Sequence, residues 1–196
     1  MTPAVPIRAA FLERLRRRHP DALAEAVRDH ARPLLRAARV LGFAEPEAED
    51  LVQDVFRTFL ASLDSFEGRS QLRTWLFGIL RRKALEHRRA SIVDDRLDPI
   101  DDVFETRFDA DGNWVRPPED LERLMLSKEI GELIRGCMDG LPVNQREAFL
   151  LREVEGLETS EICKILAVSV TNFGVLMYRA RTRLRECLEA KGWSKP

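Results

Sequence analysis

A chain of 196 residues, 44% hydrophobic and 33% charged, holds one large or two small packed domains, and its formal charge of −1 gives it no overall pull toward a polyanion. No apolar run approaches the length of a membrane span and no apolar leader core precedes the basic stretch Phe11–Arg18, so the chain reads as soluble, cytoplasmic and not membrane-inserted. Cys137, Cys163 and Cys187 are too few and scattered for a disulfide framework, and His19, His30 and His87 stand too far apart for a metal site, so neither metal nor cofactor is expected.

Strand-type alternation is hard to find, whereas Leu, Ala, Arg and Glu dominate, so the predicted fold is all-α. Asp21–Leu41 has apolar positions Leu23, Val27, Leu34, Ala38 and Leu41 at helical spacing and is closed by Gly42. A second helix, Glu47–Leu63, follows Pro46, carries carboxylates in its first turn, and turns Leu51, Val55, Phe59 and Leu63 inward at intervals of four. Gly68 breaks the pattern, and a third helix runs from about Gln71 to Arg89. Residues 91–118 lack a steady period and contain Pro99, Gly112, Pro117 and Pro118, which marks a linker. Within it, Phe108 and Trp114 bracket a predicted turn; Gly112 comes too early for a calcium loop. Helix returns over Glu119–Met138, then Asn144–Glu155, Thr159–Leu166 and Val170–Ala190. The organisation is therefore two small helical domains, 1–92 and 119–196, joined by a flexible acidic linker, 93–118.

The near-zero net charge hides a sharp segregation. Residues 66–89 carry an excess of five positive charges, and residues 94–122 an excess of eight negative ones. Such asymmetry points to a polyanion bound by part of the chain, with an acidic segment that screens it or competes for it. In the first basic segment Phe66, Trp75 and Phe77 stand among arginines, the combination in which aromatic faces stack on unpaired bases while cations track the backbone. The loop Ser65–Ser70 is suited to cup a base rotated out of the duplex, because Gly68 permits close approach and Ser65, Arg69 and Ser70 offer hydrogen bonds. Trp75, Leu76, Ile79 and Leu80 serve equally well as core, and partial burial is expected for Trp75.

The second basic segment ends in Tyr178-Arg179-Ala180-Arg181-Thr182-Arg183-Leu184-Arg185. Before it, Thr159–Leu166, the corner Ala167-Val168-Ser169 and the helix from Val170 form a helix-turn-helix pattern, with Ser169 as N-cap; an ordinary three-helix bundle with a charged outer face fits the same spacing. Phe173, Met177, Ala180 and Leu184 make an inward stripe, leaving Asn172, Gly174, Val175, Arg179 and Arg183 outward. Asn reads adenine, and Arg reads guanine or phosphate. Upstream, Asp50, Gln53 and Asp54 form a carboxylate–amide face suited to a basic partner rather than to a metal.

These segments together resemble the extracytoplasmic-function sigma factors of bacterial RNA polymerase. Ala48-Glu49-Asp50-Leu51-Val52-Gln53-Asp54-Val55-Phe56 is similar to the family's core-binding helix, and Phe66–Leu76 to its −10 loop and melting helix. Leu141-Pro142 through Gly156-Leu157 resembles the opening of the family's fourth region, closed by Tyr178-Arg179-Ala180-Arg181 of its −35 helix. The resemblance implies a transcription initiation factor, not an enzyme. Its implied partners are the polymerase core through the β′ and β subunits, promoter DNA, and a sequestering anti-sigma protein. It assigns core binding to Asp50, Leu51, Gln53 and Asp54. It assigns the −10 element to Ser65, Phe66, Gly68, Arg69, Ser70, Arg73, Trp75, Arg81, Arg82 and Arg88. The −35 element falls to Ser169, Val170, Asn172, Gly174, Val175, Tyr178, Arg179 and Arg183. Gly174 and Leu176 stand where the family commonly has Lys and Arg, which moves −35 base reading to Asn172 and Arg179 or replaces it by shape and phosphate contacts. In the −10 module Arg82 stands where the family often has Asn, so the family's base preference there is not carried over. A stand-alone duplex-binding regulator is the alternative; it leaves Phe66–Arg89 unexplained. A nucleic-acid-processing enzyme lacks a catalytic constellation, and a zinc or redox sensor would have to use the three scattered cysteines.

Overall fold

The computed structural model describes residues 9–68, 70–87 and 128–192, and every described regular element is helical. The chain divides into two compact units, the first made mainly of residues 1–93 and the second mainly of residues 94–196. The predicted linker, its Phe108–Trp114 turn and the start of the helix expected from Glu119 lie outside the described residues.

In the N-terminal unit, α1 (Ala9–Arg16) is followed by α2 (Pro20–Val40), α3 (Glu45–Ser62), a 3-10 turn (Leu63–Ser65) and α4 (Leu72–His87). Pro20 starts α2 where a missing N–H is harmless. Gly42 then takes the left-handed conformation (φ +89°) that ends the helix. Glu45 and Glu47 occupy the first turn of α3, and Glu47 Oε2 accepts the Ala44 N–H at 3.0 Å. The expected stripe of Leu51, Val55, Phe59 and Leu63 is buried throughout, and α3 packs on both α2 and α4. On α2 the phase differs from expectation. Leu34, Ala38 and Leu41 are buried, but Ala22 and Ala26 face the core, Leu23 is only half-buried and Val27 is 45% exposed. Small Ala side chains let α2 approach its neighbours closely, and the larger residues beside them are turned outward.

In the C-terminal unit, α5 (Lys128–Met138) and α6 (Val143–Phe149) pack against the long α8 (Val170–Ala190), and α7 (Thr159–Leu166) precedes it. The helix expected over Asn144–Glu155 is not uniform: Leu150–Val154 form a π turn, with the Glu155 N–H reaching the Leu150 carbonyl at 3.0 Å. Ile134, Phe149, Leu151, Leu157, Ile162 and Leu184 are among the fully or nearly fully buried side chains here. Cys137 and Cys187 form a disulfide that ties α5 to the last turns of α8. Three scattered cysteines give no sign of a disulfide framework, yet two of them, 50 apart in sequence, meet because α5 lies along α8. Cys163 remains a free thiol. Among the described residues no group of His, Cys, Asp and Glu has metal-binding geometry, and no single helix is long and apolar enough to cross a membrane.

Candidate nucleic-acid interface

After α3 the chain makes its 3-10 turn and drives Phe66 into the core. The ring is fully buried, edge-on to Trp75 with centroids 4.2 Å apart at 85°, and 6.5 Å from the Phe59 ring. Phe66 is therefore an anchor beneath the loop and not a surface for a base, because burying it gains more than leaving a phenyl ring in water. Its carbonyl accepts a hydrogen bond from Arg16 Nη2 at 2.9 Å. Ser65 is exposed, with its hydroxyl donating to the Ser62 carbonyl at 2.7 Å. Gly68 has φ +73°, which a side chain would strain, and Ser70 is half-buried. Arg69 and Arg88 lie outside the described residues.

Along α4, Leu72, Leu76, Phe77, Ile79, Leu80 and Ala84 face the core. Gln71, Trp75, Gly78, Arg82 and Leu85 recur at alternating intervals of four and three on the opposite side, none of them buried. A Cβ at Gly78 would meet nothing within 4 Å, so the middle of this strip is open. Arg73 and Arg81 are half-buried beside it, and Trp75 is half-buried as expected. The sequence pattern picked out Trp75 and Arg82 but missed the strip, whose signal was the spacing Gln71–Trp75–Gly78–Arg82.

On α3, Asp50 and Gln53 are exposed. Asp54 Oδ1 accepts from Arg57 Nη1 at 2.6 Å, and the same guanidinium lies 3.5 Å from Gln53 Oε1. Leu51 is 2% exposed and belongs to the inward stripe, so it supports this face without lining it. Arg57 is a member the carboxylate pattern overlooked; its signal was the i, i+3 and i, i+4 spacing to Asp54 and Gln53.

In the C-terminal unit, α7 and α8 are bent by 94° across the corner Ala167–Ser169. That geometry is the helix-turn-helix arrangement. Ala167 takes a left-handed conformation (φ 55°, ψ 45°), and the Ser169 hydroxyl caps α8 by accepting the Asn172 N–H at 3.1 Å. Ser169, Val170 and Thr171 are exposed and Asn172 half-buried, so the first turn of α8 is accessible. Thr171 was not singled out from sequence. Gly174 is buried and Val175 only 4% exposed, contrary to their expected outward placement. Phe173–Met177 is apolar on every side, and a helical turn of that composition is buried all round. Tyr178 and Arg179 are half-buried and Arg183 is exposed, with Arg183 Nη1 donating to the buried Gln145 Oε1 at 3.1 Å. Arg181, two residues from each, turns inward and forms an ion pair with Glu153 of the π turn.

The model of Sigma-70 region 2 matches residues 26–91, and that of Sigma-70 region 4 matches residues 131–184. A probable RNA polymerase sigma factor of Haemophilus influenzae is 31% identical over 152 residues, covering 74% of this chain and 78% of that protein. The ECF RNA polymerase sigma-E factor of Escherichia coli K12 is 31% identical over 137 residues, covering 69% and 70%. The chain belongs to the extracytoplasmic-function (ECF) sigma factors. Its fold is also similar to the solved sigma factor RpoE, determined in complex with the anti-sigma factor NepR, from Bartonella quintana (TM-score 0.59, 26% identity, 85% and 96% covered). The fold of CnrH, solved with the cytosolic domain of CnrY, is similar as well (TM-score 0.62, 23% identity, 92% and 96% covered).

The matched regions of this sigma factor start partway along α2 and end inside α8. Two features thus lie at or beyond their edges: α1, and Cys187 of the disulfide. Within the sigma factor, burial pushes the free Cys163 thiol up, away from the reactive thiolate. His30 on α2 is pushed down by burial, with Arg73 adding to the effect and Asp29 opposing it.

Proposed function

We propose that this ECF sigma factor uses three surfaces of its own chain in initiation. The α3 face of Asp50, Gln53 and Asp54, with Arg57 fixing the carboxylate, docks on a basic-edged surface of the polymerase core, whose β′ and β subunits are the contacted partners. The accessible start of α8, Ser169, Val170, Thr171 and Asn172, meets the −35 duplex. Tyr178, Arg179 and Arg183 carry the contact along the phosphate backbone. The loop from Ser65 to Ser70 receives an extruded −10 base, and the α4 strip of Trp75, Gly78 and Arg82 carries the parted strand, with Arg73 and Arg81 on its phosphates.

The observation that carries this reading is the open strip on α4. A half-buried aromatic, a glycine and an exposed arginine in line on one unburied helix face suit a single strand, which a duplex-only regulator does not need. The capped, accessible helix start in the other unit supplies a backbone-amide end for phosphate and side chains for the major groove. The solved relatives were captured with proteins named as anti-sigma factor NepR or as CnrY, and a sequestering partner of that kind fits this chain too. The chain makes and breaks no bond in this role and acts in the cytoplasm.

In vitro transcription with purified core polymerase and this chain on genomic fragments tests the reading. Discrete transcripts that depend on the chain are expected, with permanganate-reactive thymines at the −10 element. Tight duplex binding without core, and no core-dependent transcripts, would overturn it.

A further inference from the structure

The loop after α3 is held from two sides, and only one of them belongs to the matched region. From below, Phe66 anchors it in the core. From outside, Arg16 Nη2 donates to the Phe66 carbonyl at 2.9 Å across 50 residues of sequence. Arg18 Nη2 lies 3.8 Å from Asp64 Oδ2, and a Cβ at Gly68 would sit 2.6 Å from Leu12 Cδ2. Leu12 and Arg16 are four residues apart, on one face of α1, and the fully buried Leu15 docks that helix.

We infer that α1 is a positioning element of the −10 site, with Arg16 and Leu12 setting the conformation of the base-receiving loop. The inference rests on the assignment of that loop to the −10 base. A short loop with a left-handed glycine has many alternatives in isolation, and fixing it before DNA arrives removes an ordering cost from binding. The Arg16 bond is the effective part: a charged donor on a carbonyl is stronger than a neutral one and directional. The Arg18–Asp64 pair is exposed at both ends and contributes little. Leu12 lies against Gly68, whose positive φ is what disfavours a side chain there.

The test uses the full chain assembled with purified core polymerase and two DNAs cut from a promoter that this holoenzyme selects in transcription. One is a fork with the −10 non-template strand unpaired; the other is a duplex ending upstream of −10. Arg16→Ala should weaken fork binding by roughly tenfold, the loss expected for one charge-assisted hydrogen bond, and leave the upstream duplex and core assembly unchanged. Arg16→Lys keeps a cationic donor and should recover most of the loss. Gly68→Ala should also lose fork binding, because a φ of +73° strains any side chain there.

Wild-type fork affinity in Arg16→Ala would overturn the inference while leaving the −10 assignment standing. Equal loss on both DNAs with a lowered unfolding midpoint would assign α1 to stability alone, and so overturn it too. A wild-type holoenzyme that binds fork no better than duplex would remove the −10 assignment and the inference with it.

Discussion

Arg181 and Glu153 form an ion pair inside the C-terminal unit, with the carboxylate side chain 5% exposed and the guanidinium side chain 19% exposed. In the run from Tyr178 to Arg185, Arg181 therefore leaves the helix on a different side from Arg179 and Arg183, since two residues along a helix is more than half a turn. Removing one partner strands a buried charge. Arg181→Ala is expected to destabilise the C-terminal unit by about 3–5 kcal/mol, whereas Arg181→Met with Glu153→Leu should be near neutral. Denaturant unfolding of the full chain checks both; equal losses would mean the pair matters for something other than charge balance.

Arg179 sits two residues before Arg181 and is half-buried. Arg179→Ala should weaken holoenzyme binding to the −35 duplex by roughly 1–3 kcal/mol if it reads a base. Binding to the cognate and to mutated −35 sequences separates the roles. A uniform loss across sequences reduces Arg179 to a phosphate contact.

The α3 face gives a sharper test. Gln53→Ala with Asp54→Arg reverses the charge of the proposed docking surface and places a second cation beside Arg57. The like-charge pair itself should destabilise the helix by only about 0.2–0.5 kcal/mol. Core assembly, read by size exclusion with purified polymerase, is expected to be lost while the circular dichroism spectrum persists. Normal assembly would remove this face from the interface.

His30 makes the N-terminal unit sensitive to mild acid. Burial holds its folded-state pKa below the ordinary value of 6.5, so the unfolded chain binds the proton first as pH falls. The stability this confers is complete above 6.5 and is lost as pH falls from there through the folded value. Calorimetry at about pH 7.5 and about pH 5.5, both above the carboxylate range, should show a lower N-terminal transition at the acid end. His30→Gln should flatten that difference. A transition that rises on acidification would contradict the assignment.

The disulfide has its own signature. Closing a loop across 50 residues is worth roughly 4 kcal/mol in the chain-entropy account. Dithiothreitol should therefore lower the unfolding midpoint of the C-terminal unit and leave that of the N-terminal unit in place, and Cys137→Ser with Cys187→Ser should reproduce the effect. Coincident shifts of both transitions would count against it.

What the sequence made legible follows from the strength of its contrasts. The stripe Leu51, Val55, Phe59, Leu63 sets large apolar residues among polar ones, so its buried face follows from the spacing alone. The limits of α7 and α8 were equally plain, because a corner with Ser169 as cap separates two periodic segments. On α2 the contrast fails: Ala22 and Ala26 beside Leu23 and Val27 leave the phase open by one residue, and close helix packing chose the alanines. Phe66 was misplaced for a different reason. An aromatic among arginines has the same composition whether it stacks on a base or anchors a loop, and only its three-dimensional neighbours Phe59 and Trp75 decide. The Cys137–Cys187 contact, the π turn and the reach of Arg16 to Phe66 all depend on residues far apart or on ladder details, which no local pattern encodes.

The contact of α1 with the loop at Phe66 and Gly68 bears on how such proteins are recombined. A chimaera that exchanges only residues 26–91 between two relatives would bring in a new loop under the old Leu12 and Arg16, and would mismatch the two without altering any residue outside the exchanged block. Junctions placed before α1, so that it travels with the segment whose loop it touches, keep the pair together.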